Sequence, residues 1–198
     1  MPASGGFRVL RCDPPRKERE GGNFLPLEEV VKNSDIITFH TPLDATTHHL
    51  IDERLIALMR PDAVIINASR GEVAKTEALL DAGQRLLIDV WEFEPEINSQ
   101  LLSKALVSTP HIAGYSAQGK ANASMAVVRA TAEHFSLPLT KWYPEQVQRV
   151  ERRPISWQEM CQTIVAHCNL ATESASLKAN SGDFEALRNN YNYREEYF

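Results

Sequence analysis

A glutamate followed by proline and a histidine preceded by proline lie a short distance apart in the middle of the chain. Glu94 follows one short apolar run, and His111 follows the next. A carboxylate beside an imidazole favours the charged ring and fixes its orientation, so the histidine can give or take a proton near neutral pH. The two residues are therefore predicted to form an acid–base pair.

Two further charged residues follow apolar runs that have the length of buried strands. Asp89 comes directly after Leu86–Ile88. Arg70 comes shortly after Ala63–Ile66. Ligands of open α/β sheets bind at the carboxyl ends of the strands, where a guanidinium can hold a substrate carboxylate through two parallel hydrogen bonds. Both residues are therefore expected at the edge where the acid–base pair lies.

Each of these residues also has a structural explanation when it is taken alone. An arginine–glycine pair after a strand is commonly a solvated turn, and a glutamate–proline pair commonly begins a loop. A single histidine after proline is more often structural than catalytic. Their order is harder to attribute to chance, and it favours a catalytic site that contains Arg70, Asp89, Glu94 and His111.

The segments that carry these residues alternate between apolar runs and amphipathic stretches. The apolar runs predict strands over 7–12, 36–40, 63–66, 86–88 and 107–109. The other stretches predict helices over 27–33, 51–59, 76–82 and 97–102, and a loop over 16–23. This alternation indicates an α/β fold with a partial doubly wound, Rossmann-type parallel sheet.

Beyond Tyr115 the sequence predicts helices without intervening strands. Ser116 and Ser156 have the spacing of helix N-caps, and Asp183 can cap a last helix. The predicted order is a long helix to about residue 135, a linker over 140–153, a helix over 157–170, a loop over 171–182 and the last helix. A segment this small cannot bury its own core, so we expect it to pack on another surface.

Three runs of residues resemble signature segments of the D-isomer-specific 2-hydroxyacid dehydrogenases. They are Asn67-Ala68-Ser69-Arg70-Gly71-Glu72-Val73, Asp89-Val90-Trp91-Glu92-Phe93-Glu94-Pro95 and Thr109-Pro110-His111-Ile112-Ala113-Gly114. A narrower resemblance, to a branch of this family with a phosphorylated substrate, is carried by 12–16, 39–43, 111–116, 119–121 and 184–188, with Tyr191 and Arg194. The resemblance extends over nearly the whole chain.

The resemblance implies an activity and a role for each matching residue. The implied activity is NAD-dependent oxidation of 4-phospho-D-erythronate, a small phosphorylated 2-hydroxy acid, to its 2-oxo acid in pyridoxal phosphate biosynthesis. The implied catalytic residues are Arg70, Glu94 and His111. The implied substrate-binding residues are Arg70 and Tyr115, and the implied NAD-binding residues are Asp13, Thr41, Ala68, Asp89 and Gly114.

The resemblance also implies a division of the chain into parts. We expect a partial NAD-binding domain over 1–114 and, over 115–138, a helix that returns to the substrate domain. A linker and a small α-rich segment that forms a homodimer are expected over 139–198. An enzyme acting on glycerate or phosphoglycerate would keep the same catalytic residues, although Tyr115 and the segment 184–194 argue against it.

The front of the sequence departs from the family. The G-x-G-x-x-G turn that binds the cofactor phosphates would precede Phe7, where the chain has only Gly5-Gly6. The family's first strand is central in its sheet, so its absence would separate the segment 7–12 from the catalytic strands. This departure favours a further alternative, a truncated and inactive fragment that serves only as a dimerising module. The connection from Gly71 to Asp89 is also shorter than in the family.

Asp13 has two explanations that the residues alone leave open. An acid at the end of the second strand of a dinucleotide fold binds the adenine ribose and favours NAD over NADP. Alternatively, Asp13-Pro14-Pro15 is simply a turn. The resemblance favours ribose binding.

Composition and charge argue against several other classes of function. The chain has 198 residues and a net charge of -5, without the basic footprint of a nucleic-acid-binding protein. Neither a signal peptide nor an apolar run of about 18 residues occurs, so we expect a cytoplasmic protein without membrane association. The three cysteines lack zinc-ligand spacing, so no metal is expected.

Overall fold

The computed structural model describes residues 6–150 and 153–196, and these residues form two compact units. The first unit contains the described residues up to Ala113 together with Leu170–Asn190. The second contains Gly114–Asn169 and the described residues from Tyr191 onward. Each unit thus joins segments that are distant in sequence.

Four parallel strands form the sheet of the first unit, in the order β1-β2-β3-β4. β1 is Ile36–Phe39, β2 is Val64–Asn67, β3 is Arg85–Ile88 and β4 is Val107–Ser108. Ile65 of β2 lies opposite Ile37 of β1 and Leu86 of β3, and all three side chains are buried. The predicted α/β fold with a parallel, Rossmann-type sheet is confirmed, and these strands lie where apolar runs predicted them.

Helices connect the strands and make up most of the C-terminal half. They are α1 Pro14–Glu20, α2 Leu27–Lys32, α3 Glu53–Ala57, α4 Thr76–Asp81, α5 Ser99–Lys104, α6 Ala117–His134, α7 Trp157–His167, α8 Leu170–Ala179 and α9 Phe184–Asn189. The predicted N-caps of α6 and α7 are confirmed, because Ser116 and Ser156 accept hydrogen bonds from the backbone N–H groups of Gly119 and Glu159. The Asp183 side chain makes no such bond with α9, although the helix is present.

The predicted loop over 171–182 is wrong, because most of this segment forms α8. Leu177 of α8 is fully buried in the core of the first unit, beside Phe184 of α9. Ser174 is buried as well, and its hydroxyl accepts a 3.0 Å hydrogen bond from the Ser108 N–H of β4. Packing against the sheet therefore decides the conformation of a polar segment whose own sequence carries little helical pattern.

The predicted strand over 7–12 is also wrong, since this segment is not part of the sheet. Phe7 and Val9 are exposed, and the Arg11 carbonyl accepts one backbone hydrogen bond, from Leu25. A strand needs a neighbour that satisfies its backbone groups. No described strand pairs with this segment.

The predicted loop over 16–23 is wrong as well, because α1 occupies Pro14–Glu20. The Asp13 carboxylate caps this helix by accepting a 3.0 Å hydrogen bond from the Arg16 N–H, and Pro14 occupies the first helical position. An ion pair between Arg16 and Glu20 adds support along the exposed face. The acid–proline sequence thus begins a helix instead of a simple turn.

The described residues contain neither a membrane-spanning helix nor a cluster of metal ligands. No described helix is both long and apolar enough to cross a membrane. No group of three or more acidic, histidine or cysteine side chains within the described ranges is arranged to hold a metal ion. Cys12, Cys161 and Cys168 are free thiols.

Candidate active site

The imidazole of His111 and the carboxylate of Glu94 meet at the carboxyl edge of the sheet. His111 Nδ1 lies 2.8 Å from Glu94 Oε2, and both side chains are largely buried. The other carboxylate oxygen accepts a 2.8 Å hydrogen bond from the Trp91 N–H, which fixes the segment Trp91–Pro95, here called the Glu94 turn. The structure thus brings together the two residues predicted to form an acid–base pair, and the contact uses Nδ1 of the His111 ring.

Asp89 holds the backbone on both sides of His111. Its carboxylate accepts hydrogen bonds from the Thr109 hydroxyl at 2.6 Å and from the N–H groups of Ile112 and Ala113 at 2.8 and 3.0 Å. The backbone N–H of His111 donates to the Asp89 carbonyl. These bonds stabilise a φ of 58° at His111, which is unfavourable for a residue with a Cβ.

Asp89 consequently has little capacity left for a ligand. A carboxylate offers about four acceptor positions, and the loop around His111 uses three of them. The position that remains is on Oδ2, which accepts one bond where Oδ1 accepts two. One hydrogen bond from a cofactor carboxamide is compatible with this arrangement.

Asn67, rather than Arg70 itself, organises the segment Asn67–Gly71, here called the Arg70 turn. The fully buried Asn67 side chain donates to the Arg70 carbonyl at 3.0 Å and accepts from the N–H and hydroxyl of Ser69. The exposed Arg70 guanidinium donates to the Ser69 carbonyl at 2.6 Å. Among the described residues it does not contact Glu94 or His111, so the structure places Arg70 at the expected edge without joining it to the pair.

Gly71 allows the backbone of the Arg70 turn to contact the backbone of the Glu94 turn. A Cβ at this position would lie 1.9 Å from the Trp91 carbonyl oxygen, so only glycine fits. The connection from Gly71 to Asp89 leaves β2 and β3 in register, and the Asp89 N–H donates to the Asn67 carbonyl. The two turns are therefore in direct backbone contact.

The residues expected to bind NAD differ in their burial and in their hydrogen bonding. The buried hydroxyl of Thr41, just beyond β1, has no hydrogen-bond partner among the described residues. Ala68 is half-buried within the Arg70 turn, and the space beside the Gly114 Cα is open. The Asp13 carboxylate is engaged in capping α1.

The residues present therefore fit part of a bound NAD. An unsatisfied buried hydroxyl is costly unless a ligand completes it, and the Thr41 hydroxyl has this character. The sequence contains no glycine-rich phosphate-binding turn. Thr41 and Asp89 thus offer polar atoms to a cofactor, and their roles in binding it stay predictions.

Sequence reasoning missed a second histidine–carboxylate pair. His49 Nε2 lies 2.6 Å from Glu92 Oε1, and Glu92 Oε2 accepts a 2.9 Å hydrogen bond from the Thr76 N–H. Burial acts to raise the pKa of the Glu92 carboxyl, but the hydrogen bonds from His49 and Thr76 outweigh it and hold the pKa below its ordinary value. The two residues are distant in sequence, so spacing alone could not reveal the pair.

A cation from the C-terminal segment also approaches the site. Arg188 Nη1 of α9 lies 4.0 Å from Glu94 Oε2, and the side chain is about one-third exposed. α9 belongs to the first unit and is anchored by the buried ring of Phe184. In the sequence, the segment 184–188 is singled out only by its resemblance to the family.

Tyr115, the residue expected to contact substrate, belongs to the second unit. Its ring is in edge-to-face contact with Tyr193, with centroids 5.4 Å apart, and the Lys120 ammonium lies 4.1 Å from its centroid. The Arg194 guanidinium donates to the Tyr115 carbonyl at 3.1 Å. Two C-terminal residues of the narrower resemblance, Tyr191 and Arg194, thus contact Tyr115.

Comparison with known protein families identifies the first unit. A family model described as "D-isomer specific 2-hydroxyacid dehydrogenase, NAD binding domain" matches residues 3–113. The match is longer than half of the 198 residues and contains all four strands. It includes the Arg70 turn, the Glu94 turn and His111.

Similar proteins extend the likeness beyond this domain. The erythronate-4-phosphate dehydrogenase of Escherichia coli O9:H4 (strain HS) is 38% identical over 211 residues, covering 97% of this chain and 56% of the relative. That of Bacteroides thetaiotaomicron is 41% identical, covering 96% of this chain and 57% of the relative. The chain thus spans a little more than half the length of these curated relatives.

Among solved structures, the apo form of D-mandelate dehydrogenase from Rhodotorula graminis superposes with a TM-score of 0.52 at 27% identity. The match covers 71% of this chain and 43% of that one. It supports the assignment of the Rossmann-type fold.

Proposed function

The chain belongs to the D-isomer-specific 2-hydroxyacid dehydrogenase family, and on this premise we propose that it carries the catalytic residues for NAD-dependent oxidation of 4-phospho-D-erythronate. The observation that carries the proposal is the 2.8 Å contact between His111 Nδ1 and Glu94 Oε2 beside the Arg70 turn. The names of the curated relatives support the choice of substrate. The product would be the corresponding 2-oxo acid.

The proposed mechanism assigns one task to each catalytic side chain. Arg70 would turn from the Ser69 carbonyl to hold the substrate carboxylate by two parallel hydrogen bonds. Because Nδ1 of His111 is occupied by Glu94, Nε2 would take the proton of the substrate hydroxyl. Glu94 would stabilise the imidazolium that forms. NAD, when bound, supplies the acceptor for the hydride that leaves C2 as the carbonyl forms.

The remaining family residues would complete the binding site. Thr41, Ala68, Asp89 and Gly114 would face the nicotinamide side of NAD, and Asp13, whose carboxylate also caps α1, would lie near the adenine ribose. Tyr115 would bind substrate. The unsatisfied Thr41 hydroxyl supports this arrangement most directly.

We also propose that the protein acts as a cytoplasmic homodimer in pyridoxal phosphate biosynthesis. The second unit exposes large apolar side chains that a second copy would cover, including Val127, Phe135, Trp157 and Val165. Light scattering would measure the oligomeric state, and cell fractionation would measure the location. Growth of a deletion strain without vitamin B6, restored by the gene, would test the pathway.

The activity is tested by following NADH formation from 4-phospho-D-erythronate, with D-glycerate and 3-phospho-D-glycerate as competing substrates. Glu94→Gln and His111→Asn should each lower kcat by about 10² or more, as expected for loss of acid–base catalysis. Glu96→Gln, an exposed carboxylate in the same segment, is the matched control and should leave kcat unchanged. Equal turnover of all three substrates would contradict the assigned specificity.

One observation favours a second candidate, a non-catalytic dimerising module. The segment 7–12 lies outside the sheet, and Asp13 is engaged by α1. A protein in which the adenine half of the site is not formed would bind NADH weakly. Titration of the chain with NADH, followed by cofactor fluorescence, distinguishes the candidates because a dimerising module would show no saturable binding.

A further inference from the structure

Two carboxylates of the Glu94 turn point to two different histidines. Glu94 contacts His111, and Glu92, two positions earlier, contacts His49. The proposed mechanism uses the first pair and leaves the second without a task. Yet the carboxylate of the second pair is the more buried of the two. The Glu92 side chain is 5% exposed, whereas the Glu94 side chain is 18% exposed.

Both oxygens of Glu92 are committed to the protein. One contacts His49 and the other accepts from the N–H at the start of α4. Because the pKa of Glu92 is lowered, its carboxylate is ionised at neutral pH and the His49 Nε2–H is the donor. A buried carboxylate with two donors is a strong local restraint, because each bond involves a full charge.

The segment around His49 is also bonded to the chain that follows Arg70. The His49 N–H donates to the Glu72 carbonyl at 2.8 Å, and the Ile51 N–H donates to the Val73 carbonyl at 2.9 Å. The bond from the Lys75 N–H to the Ile51 carbonyl closes the same short parallel pairing. His49 therefore connects the residue after the Arg70 turn to the side chain of Glu92.

These contacts join the Arg70 turn to the Glu94 turn at two separate places. The Arg70 turn touches the Glu94 turn directly, where Gly71 meets the Trp91 carbonyl. The same two turns are joined a second time through Glu72, His49 and Glu92. Two independent links between the carboxylate-binding and proton-transfer residues fix their relative position more firmly than one.

We propose that His49 and Glu92 are positioning residues of the dehydrogenase site, which hold the Arg70 turn in register with Glu94 and His111. The inference rests on the proposed function for its catalytic meaning, although the mechanical link is independent of activity. Neither side chain touches substrate. Loss of the pair should therefore disturb the geometry of proton transfer while the fold persists.

The mechanical link is tested by NMR on the labelled chain without ligands. Glu92→Ala and His49→Phe should shift the ring signals of His111 and accelerate amide exchange at Val73 and Ala74, whose N–H groups donate to the Arg70 and Gly71 carbonyls. His134→Phe is the matched control, because His134 is an exposed histidine of α6 with no hydrogen bond to His49 or Glu92 among the described residues, and it should change neither. Unchanged His111 signals in a folded Glu92→Ala variant would overturn the proposal whether or not the protein is a dehydrogenase.

The conservative variant Glu92→Gln tests whether Glu92 acts by positioning His111 or only by stabilising the fold. Its amide oxygen can accept from the Thr76 N–H, and its amide group can donate to Nε2 of a neutral His49 in the other tautomer. We expect this variant to recover the wild-type His111 signals. Failure of this rescue, with Glu92→Ala equally folded, would also contradict the proposal.

Kinetics add a readout that depends on the proposed function. Glu92→Ala should lower kcat by about tenfold or more, because misplacement of a catalytic group raises the barrier of the chemical step. The KM for NAD should change less than twofold. An unaltered kcat in an active protein would overturn the positioning role, whereas an inactive wild-type chain with the expected NMR shifts would count against the proposed function alone.

Discussion

At the scale of single residues, the site depends on how many hydrogen bonds each carboxylate accepts. Glu94 is shared between the Trp91 N–H and His111, and the nearby Arg188 adds a positive charge. Asp89 serves mainly to fix the loop around His111. The family motif therefore combines residues for chemistry with residues for architecture, and the sequence alone does not distinguish them.

Thr41→Val should weaken NADH binding without lowering stability. The Thr41 hydroxyl is buried and has no partner among the described residues, so its removal costs the protein no hydrogen bond. We expect an affinity loss of about fivefold to tenfold, the value of one hydrogen bond of about 1 kcal/mol, in a fluorescence titration. Thr46→Val, in an exposed loop, is the control; equal affinities for Thr41→Val and wild type would remove Thr41 from the site.

Stability should depend on pH through Glu92. Its folded-state pKa is lowered, so its stabilising contribution is complete above the ordinary glutamate pKa of about 4.3 and is lost as pH falls through the lower folded value. Urea unfolding midpoints of wild type and Glu92→Gln should therefore differ at pH 7 and converge in acid. A difference that stays constant down to pH 3 would disprove the linkage.

At the scale of elements, the close contact between the Arg70 turn and the Glu94 turn contributes to the stability of the first unit. Gly71→Ala should destabilise the first unit strongly, because the new methyl group would overlap the Trp91 carbonyl. We expect a loss of about 1–3 kcal/mol in the free energy of unfolding, measured with urea. Gly83→Ala, where a methyl group meets open space, should change this free energy by less than about 0.5 kcal/mol.

Leu177→Ala should show that α8 belongs to the core. Leu177 is fully buried, and replacing such a leucine leaves a cavity that costs about 2–5 kcal/mol. The exposed Leu170 at the start of the same helix is the matched control, and Leu170→Ala should cost little. Equal unfolding midpoints for the two variants would show that α8 does not dock on β4 in solution.

The strands and the acid–base contact could be predicted because their signals are local. Each buried strand is a short apolar run that ends in a polar residue, and parallel order then places Glu94 near His111. The conformation of α8 could not be predicted, since it depends on packing against β4. The His49–Glu92 pair escaped prediction for the same reason, because two loops distant in sequence must fold before they meet.

At the scale of the molecule, the first unit brings the Arg70 turn, the Glu94 turn and His111 together at one edge of its sheet. The sheet begins at β1, and the segment 7–12 has no place in it. The Arg70 turn, the Glu94 turn and His111 are nevertheless held by the sheet and by each other. Variants at this edge and variants at Thr41 therefore test different parts of the proposed site.

The membership of α8 and α9 in the first unit sets an order of events during synthesis on the ribosome. The sheet is complete once Ser108 has emerged, yet its core still lacks Leu177 and Phe184. All of the second unit up to Asn169 must be translated before these residues arrive. A premature stop codon anywhere in that interval would leave the nascent sheet with an exposed apolar flank, and such products should be cleared by cellular proteases.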